Sequence, residues 1–411
     1  MPIHATPARR KEIRLVRMVP CSTGRIVLPM TLRQIYELAP TEKTQARLAG
    51  RWQLRPLLQL SNYKYKAVVD VISFRVTSHV PMNPKNLYFR IAAQGVANSG
   101  VTPIFSKSAT GRMSTTFALR IDDPTPEQLA VAITKINATP GLATDGVLQL
   151  LEVSVDVYPH DHSTEAPRLL MSDLLRRHFL PQEWMWRYKS GWPRWVGAEK
   201  RSGTVFGKNI SEDAFANHIY HVEKHREVPV NTTFYVGARD AGPLMVRVMD
   251  KVIDEQKRHG TFTALDPAKQ RSRIEVELRR SALDRLRLNT IDDLRGFNFC
   301  KLRAQLFDFA IPTLPFAHGS GLATQISRVR RDSETSVFEK SGVLGVTYMQ
   351  KAGLNHRNRA RAMRGAAGLT AMPPNRNGLG KNGFSIDFVD LNRAVDGALA
   401  LLTRRWKKPV R

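Results

Sequence analysis

The sequence predicts an α+β fold with a largely antiparallel sheet, and three observations lead there. Strand-like and helix-like segments alternate without the regular strand–helix–strand spacing of a doubly wound sheet. The longest strand candidate, Val147–Tyr158, alternates in its second half, with Glu152, Ser154 and Asp156 on one side and Val153, Val155 and Val157 on the other. A helix with full start punctuation follows the early strands. Thr125 can cap it, Pro126 suits its first position, and Gln128 stands where a capping box needs it.

Residues 1–50 are basic and weakly periodic apart from a short helical candidate at Met30–Leu38, and they read as an N-terminal extension. Ala67–Val76 is rich in β-branched residues and reads as a strand, as do Leu87–Ala92 and Ser114–Ile121. The capped helix carries Leu129, Ile133 and Ile136 at helical spacing. Later strand candidates are Thr232–Val236, Leu244–Met249 and Arg273–Leu278; helices are expected at Leu169–His178, Ser211–His225 and Asp250–His259. The organisation expected is a basic extension (1–50), a central domain (51–315) and a basic, partly flexible tail (316–411). Residues 321–411 carry 17 basic and 6 acidic side chains, and Arg357 and Arg361 lie in a Gly-, Asn- and Pro-rich stretch of that tail.

Charge narrows the function classes. The 411 residues hold 63 Lys and Arg against 36 Asp and Glu, a formal charge of +27 that attracts polyanions, nucleic acid first. No run approaches the ~18 apolar residues of a membrane-spanning helix, so no membrane partner is expected. Two cysteines, Cys21 and Cys300, make neither a disulfide framework nor a cysteine zinc site, and a reducing, cytoplasmic location is the simplest expectation. There is no phosphate-binding G-x-x-x-x-G-K-[ST] loop, which argues against a nucleotide-driven motor.

Several constellations can carry chemistry. Glu152 and Asp156 share a strand face ~13 Å apart, and carboxylates in so apolar a run need a partner, a proton or a hard cation. The plainer reading is an edge strand whose polar face meets water. Glu275 and Glu277 share a face within Arg271–Arg280, where they serve either as metal ligands among phosphate-neutralising arginines or as members of cross-strand ion pairs. Tyr235 sits in a hairpin with Arg239, Arg247 and Lys251; it is either a packing residue or a nucleophile toward a phosphodiester. Trp184–Trp195 interleaves four tryptophans with Arg and Lys. Trp192 and Arg194 there suit unpaired bases and phosphates, or else pin a loop to the core. His160 and His162, and the helix-spaced His218, His221 and His225, lack a full metal-ligand set and read as polar surface.

Taken in order, these segments resemble the replication initiation factor family of rolling-circle plasmids and filamentous phages, over about residues 65–300. The matching pieces are Asp70-Val71-Ile72-Ser73-Phe74-Arg75-Val76, the strand Glu152–Asp156, Tyr235-Val236-Gly237-Ala238-Arg239, Arg247-Val248-Met249-Asp250-Lys251 and Arg273–Arg279. The resemblance implies a fold related to the His-hydrophobe-His endonucleases. It implies a site- and strand-specific nick, in which a tyrosine becomes linked to the 5′ phosphate with help from Mg²⁺ or Mn²⁺. On that pattern Asp156 and Glu275, with Glu152 or Glu277, would hold the metal. Tyr235 would attack, and Lys251, Arg239 and Arg247 would offset phosphate charge. Trp192, Arg194, Arg271, Arg273, Arg279, Arg357 and Arg361 would bind DNA. An origin hairpin, single-stranded DNA and a host helicase are the implied partners. Met249 stands where the family commonly has tyrosine, which makes Tyr235 the substitute nucleophile, with Tyr220 behind it. A non-catalytic nucleic-acid-binding protein on the same scaffold is the alternative.

Overall fold

The computed structural model describes residues 9–22, 24–41, 48–91, 99–104, 113–142, 146–186, 189–197, 202–206, 225–238, 242–256, 261–316, 320–366 and 385–407. In chain order its strands are β1 Arg9–Cys21, β2 Gly24–Pro40, β3 Arg51–Pro56, β4 Tyr63–Met82, β5 Ser99–Pro103, β6 Ser114–Asp122, β7 Val147–Pro159 and β8 Arg194–Val196. They continue with β9 Ser202–Thr204, β10 Thr233–Gly237, β11 Leu244–Lys251, β12 Ile253–Gln256, β13 Thr261–Ala264, β14 Arg271–Arg279, β15 Ala310–Pro315 and β16 Ser385–Asp387. Nine strands form one sheet in the order β5-β6-β4-β7-β14-β11-β10-β8-β9, five form a second in the order β1-β2-β3-β15-β16, and β12–β13 is a separate hairpin. Neighbouring strands run antiparallel throughout the large sheet. The architecture is therefore α+β with large antiparallel sheets, as the patterning predicts.

The sheet is built where β-branched residues recur. Val153, Val155 and Val157 of β7 and Ile274 and Val276 of β14 are fully buried on one face, and helix Ala166–His178 packs against β7, β11 and β14. Ser172 of that helix donates to Ser272 of β14 at 2.9 Å, and Ser272 donates to the Arg168 carbonyl at 2.7 Å. The expected capping box is present on helix Pro126–Ala138, with the Thr125 and Gln128 side chains each bonding the other's backbone.

Four expectations are corrected. Met30–Leu38 belongs to strand β2, because the burial there has a period of two: Gln34, Tyr36 and Leu38 are buried and pair with β1, while Ile35 is exposed. Leu87 does not lie in a strand; Pro84–Ile91 is a helix, started by the Lys85 N–H bond to the Asn83 side chain at 2.9 Å. Helical phase then explains why Leu87 is fully buried and Phe89 is 62% exposed. The expected helix from Asp250 is instead the end of β11 and strand β12, because Asp250 and Lys251 continue the ladder against Ser272 and Arg271. Finally, β7 is a central strand and not a wetted edge: Glu152, Ser154 and Asp156 are as covered as the valines between them. Of the helix expected at Ser211–His225, residues 211–224, with His218, Tyr220 and His221, lie outside the described residues.

The termini join one sheet. Strands β1–β3 pair onward through β15 to β16, so the borders expected at 50/51 and 315/316 fall within it. The Asn231 side chain bonds both backbone groups of Met18 in β1, at 2.9 and 2.8 Å, tying that sheet to the loop before β10. Helical span Leu322–Ala366, broken at Gly342 where the backbone leaves helical geometry, and helix Val389–Lys407 follow. The second packs on β4 and buries Leu391, Val395, Leu399, Leu402 and Trp406.

Candidate functional site

The polar residues of β7, β14 and β11 are brought together by register. Asp156 lies opposite Arg273, Ser154 opposite Glu275, and Glu152 opposite Glu277. Across the next ladder Glu275 faces Arg247, which in turn faces Tyr235 of β10. Residues from four separate parts of the sequence thus share one sheet face. A bulge in β4 between Val69 and Val71 adds Asp70 to the group.

Guanidinium groups occupy the spaces between these acids. Arg273 reaches both oxygens of Asp156, at 2.5 and 2.8 Å, and Asp70 at 2.6 Å; Glu275 lies 3.7 Å from the same guanidinium. Arg271 adds an ion pair to Asp156 at 2.9 Å. Arg247 pairs with Glu152 at 3.2 Å and with Glu275, and Arg279 pairs with Glu277 at 2.6 Å. The Ser154 hydroxyl donates to Asp70. Burial alone would push the Asp156 carboxyl up, but the hydrogen bonds and charge of Arg273, helped by Arg271, hold it below the ordinary carboxylate range. Glu152 goes the other way. Burial raises it, Arg247 pulls it back, and the neighbouring Glu277 and Asp70 leave it raised.

A groove of about 610 Å³ opens over this face, lined among others by Asp70, Arg120, Glu152, Tyr235, Arg247, Met249, Lys251, Phe262, Arg273 and Glu275. Its lining holds seven carboxylates and four cationic side chains, a surplus of three acids in a strongly basic chain. The cationic groups there have acidic neighbours: Arg120 bonds Asp122 at 2.9 Å and Lys251 lies 3.5 Å from Asp254. A second hollow of about 370 Å³ shares Asp70, Asp123 and Arg273 with it and adds Lys66, Tyr158, Arg271 and Arg405.

The other expected site residues divide. Tyr235 lines the groove, with the Arg194 guanidinium 5.3 Å from its ring centre. Trp192 is buried at 4% exposure and so presents no face to a base, whereas Trp184 is 42% exposed. Arg273 is also buried and is held by acids. Arg239 lies outside the described residues, as do the side chains of Arg357 and Arg361. Asp122, Asp123 and Phe262 were not picked out by sequence reasoning, although the polar alternation Arg120, Asp122 at the end of β6 is a readable signal.

Oxygen ligands are the right type for a divalent cation, but Asp156, Glu275, Glu152 and Glu277 are each ion-paired with a guanidinium, and no group of three or more His, Cys, Asp or Glu able to hold a metal ion is found among the described residues. As placed, these carboxylates fit arginine and do not fit a metal ion. No described helix is long and apolar enough to cross a membrane.

Comparison of the chain with protein-family models finds no matching family. Comparisons with curated proteins and with solved structures find no match either.

Proposed function

We propose that this chain is a single-strand nucleic-acid-binding protein on a rolling-circle-initiator type of scaffold, acting by binding and not by cleavage. The observation that carries the reading is the pairing on the sheet face: the acids that a metal-assisted nick would need are bonded to arginines. The strongly positive chain outside the groove supplies the long-range attraction that holds a polyanion, and binding of that kind weakens steeply with salt. Met249, in the position where the resembling family commonly carries tyrosine, supports the same reading.

A second reading is favoured by the position of Tyr235. It lines the groove between Arg194 and Arg247 in the strand register, and a nicking step can be written for it. The Tyr235 Oη would replace the 3′ oxygen on a phosphorus, forming a 5′-phosphotyrosine. The phenolic proton would pass to the departing oxygen, which leaves as a 3′ hydroxyl.

Incubation with hairpin-bearing single-stranded DNA and Mn²⁺, followed by denaturation, separates the two. The binding reading expects tight, salt-sensitive complexes and no covalent adduct. A denaturant-resistant adduct that disappears in Tyr235→Phe overturns it in favour of nicking.

A further inference from the structure

The acid surplus in the groove sits badly with phosphate and well with something else. With Asp250 held by Arg168 from outside the lining, the other six carboxylates still outnumber the four cationic groups, so a phosphodiester there gains no net attraction. Nucleobase edges are not. The exocyclic amines of cytosine, adenine and guanine are donors that carboxylates accept, whereas thymine has no exocyclic amine.

The lip of the groove supplies the other half of a base site. Hairpin β12–β13 carries Ile253 and Phe262, which are 48% and 66% exposed and both line the groove. Ile253 pairs with Ala264 and Phe262 with Glu255, two residues along each strand, so the two apolar side chains share a hairpin face. An aromatic ring left in water beside a polar cleft is the platform on which unpaired bases stack. The hairpin also presents Asp254, whose side chain is 64% exposed. From the far rim comes Asp123, held in the left-handed region at φ 49° after β6.

We propose that the groove receives unpaired nucleobases and not the phosphate backbone. Phe262 stacks one base, and the carboxylates of Asp254 and, on the opposite rim, Asp123 accept hydrogen bonds from the exocyclic amines of separate bases along the strand. The phosphates then face outward, toward the basic remainder of the surface. This rests on the nucleic-acid reading above. It goes further in naming single strands rich in cytosine or adenine as the preferred ligand, with thymine disfavoured.

The test uses the full chain with homopolymers of about 20 nucleotides, long enough to cover one binding site, in buffer containing chelator. Oligo(dC) and oligo(dA) are expected to bind more tightly than oligo(dT). Phe262→Ala should lose about tenfold affinity for single strands, consistent with one stacked base, while duplex binding stays unchanged. Asp123→Asn combined with Asp254→Asn should bring oligo(dC) and oligo(dT) closer together; asparagine tolerates the φ at 123. Equal binding of oligo(dC) and oligo(dT) by the native chain, or full affinity in Phe262→Ala, overturns the base placement and leaves the binding function intact. Binding that vanishes with chelator overturns it in favour of a cation-bridged phosphate. If no single strand binds at any salt concentration, both readings fall.

Discussion

At the residue scale, Arg273 governs the sheet face. Its side chain is 5% exposed and bridges Asp156 of the adjacent strand β7 and Asp70 of β4, the strand beyond it. A buried pair of this kind adds little compared with an apolar replacement of the whole set, yet breaking it from one side is costly. Arg273→Met leaves two buried carboxylates without their main partner. It should lower unfolding free energy by about 3–5 kcal/mol, measured by urea denaturation. Adding Asp156→Leu should recover part of that loss, since the stranded charge is then removed; a double variant no better than the single one would count against this account.

At the element scale, Gly342 breaks the span Leu322–Ala366 where it packs against helix Ala166–His178. Its φ of 68° lies in the left-handed region, and a Cβ there would stand 2.5 Å from the Arg177 carbonyl oxygen. Arg177 is itself fixed, with its Nε 2.7 Å from Asp173. Gly342→Ala therefore adds both strain and a backbone clash, and a loss of about 2–5 kcal/mol is expected from thermal or urea unfolding. The same scale shows what could be read beforehand. The cores of β4, β6, β7, β10, β11 and β14 and the capped helix were legible, because β-branched alternation and capping residues act locally. Strands β1 and β2 were not: the alternation of Gln34, Tyr36 and Leu38 rests on a polar residue buried by tertiary packing. The candidate site was legible as a set of residues and illegible as chemistry. Spacing placed Glu152 with Asp156 on one strand face and Glu275 with Glu277 on another, but only the register brought them beside Arg247 and set guanidiniums between the acids. Nothing in the strand pattern around residue 250 announced the hairpin that carries Phe262.

At the scale of the whole molecule, the C-terminal helix is a structural member of the core. Leu391, Val395, Leu399, Leu402 and Trp406 are each 3% exposed or less. At about 1.5–3 kcal/mol per buried apolar side chain, their loss amounts to about 8–15 kcal/mol, comparable with the entire stability of a typical domain. A chain ending at Phe388 should accordingly be insoluble or lose cooperative unfolding, assessed by circular dichroism on heating. A soluble truncated chain with an unchanged melting curve would refute this.

The sheet shared by the two ends sets a timetable for synthesis. Strand β1 starts at Arg9, while its sheet is completed by β15 and then by β16 from Ser385. As the chain emerges from the ribosome, β1–β3 stand as an open three-stranded ribbon until the last quarter has been translated. Contacts so distant along the chain form slowly, and throughout the delay the bare margin of β3 can pair with the same margin of another nascent copy. Slower translation, which lengthens that interval, should therefore lower the yield of folded protein.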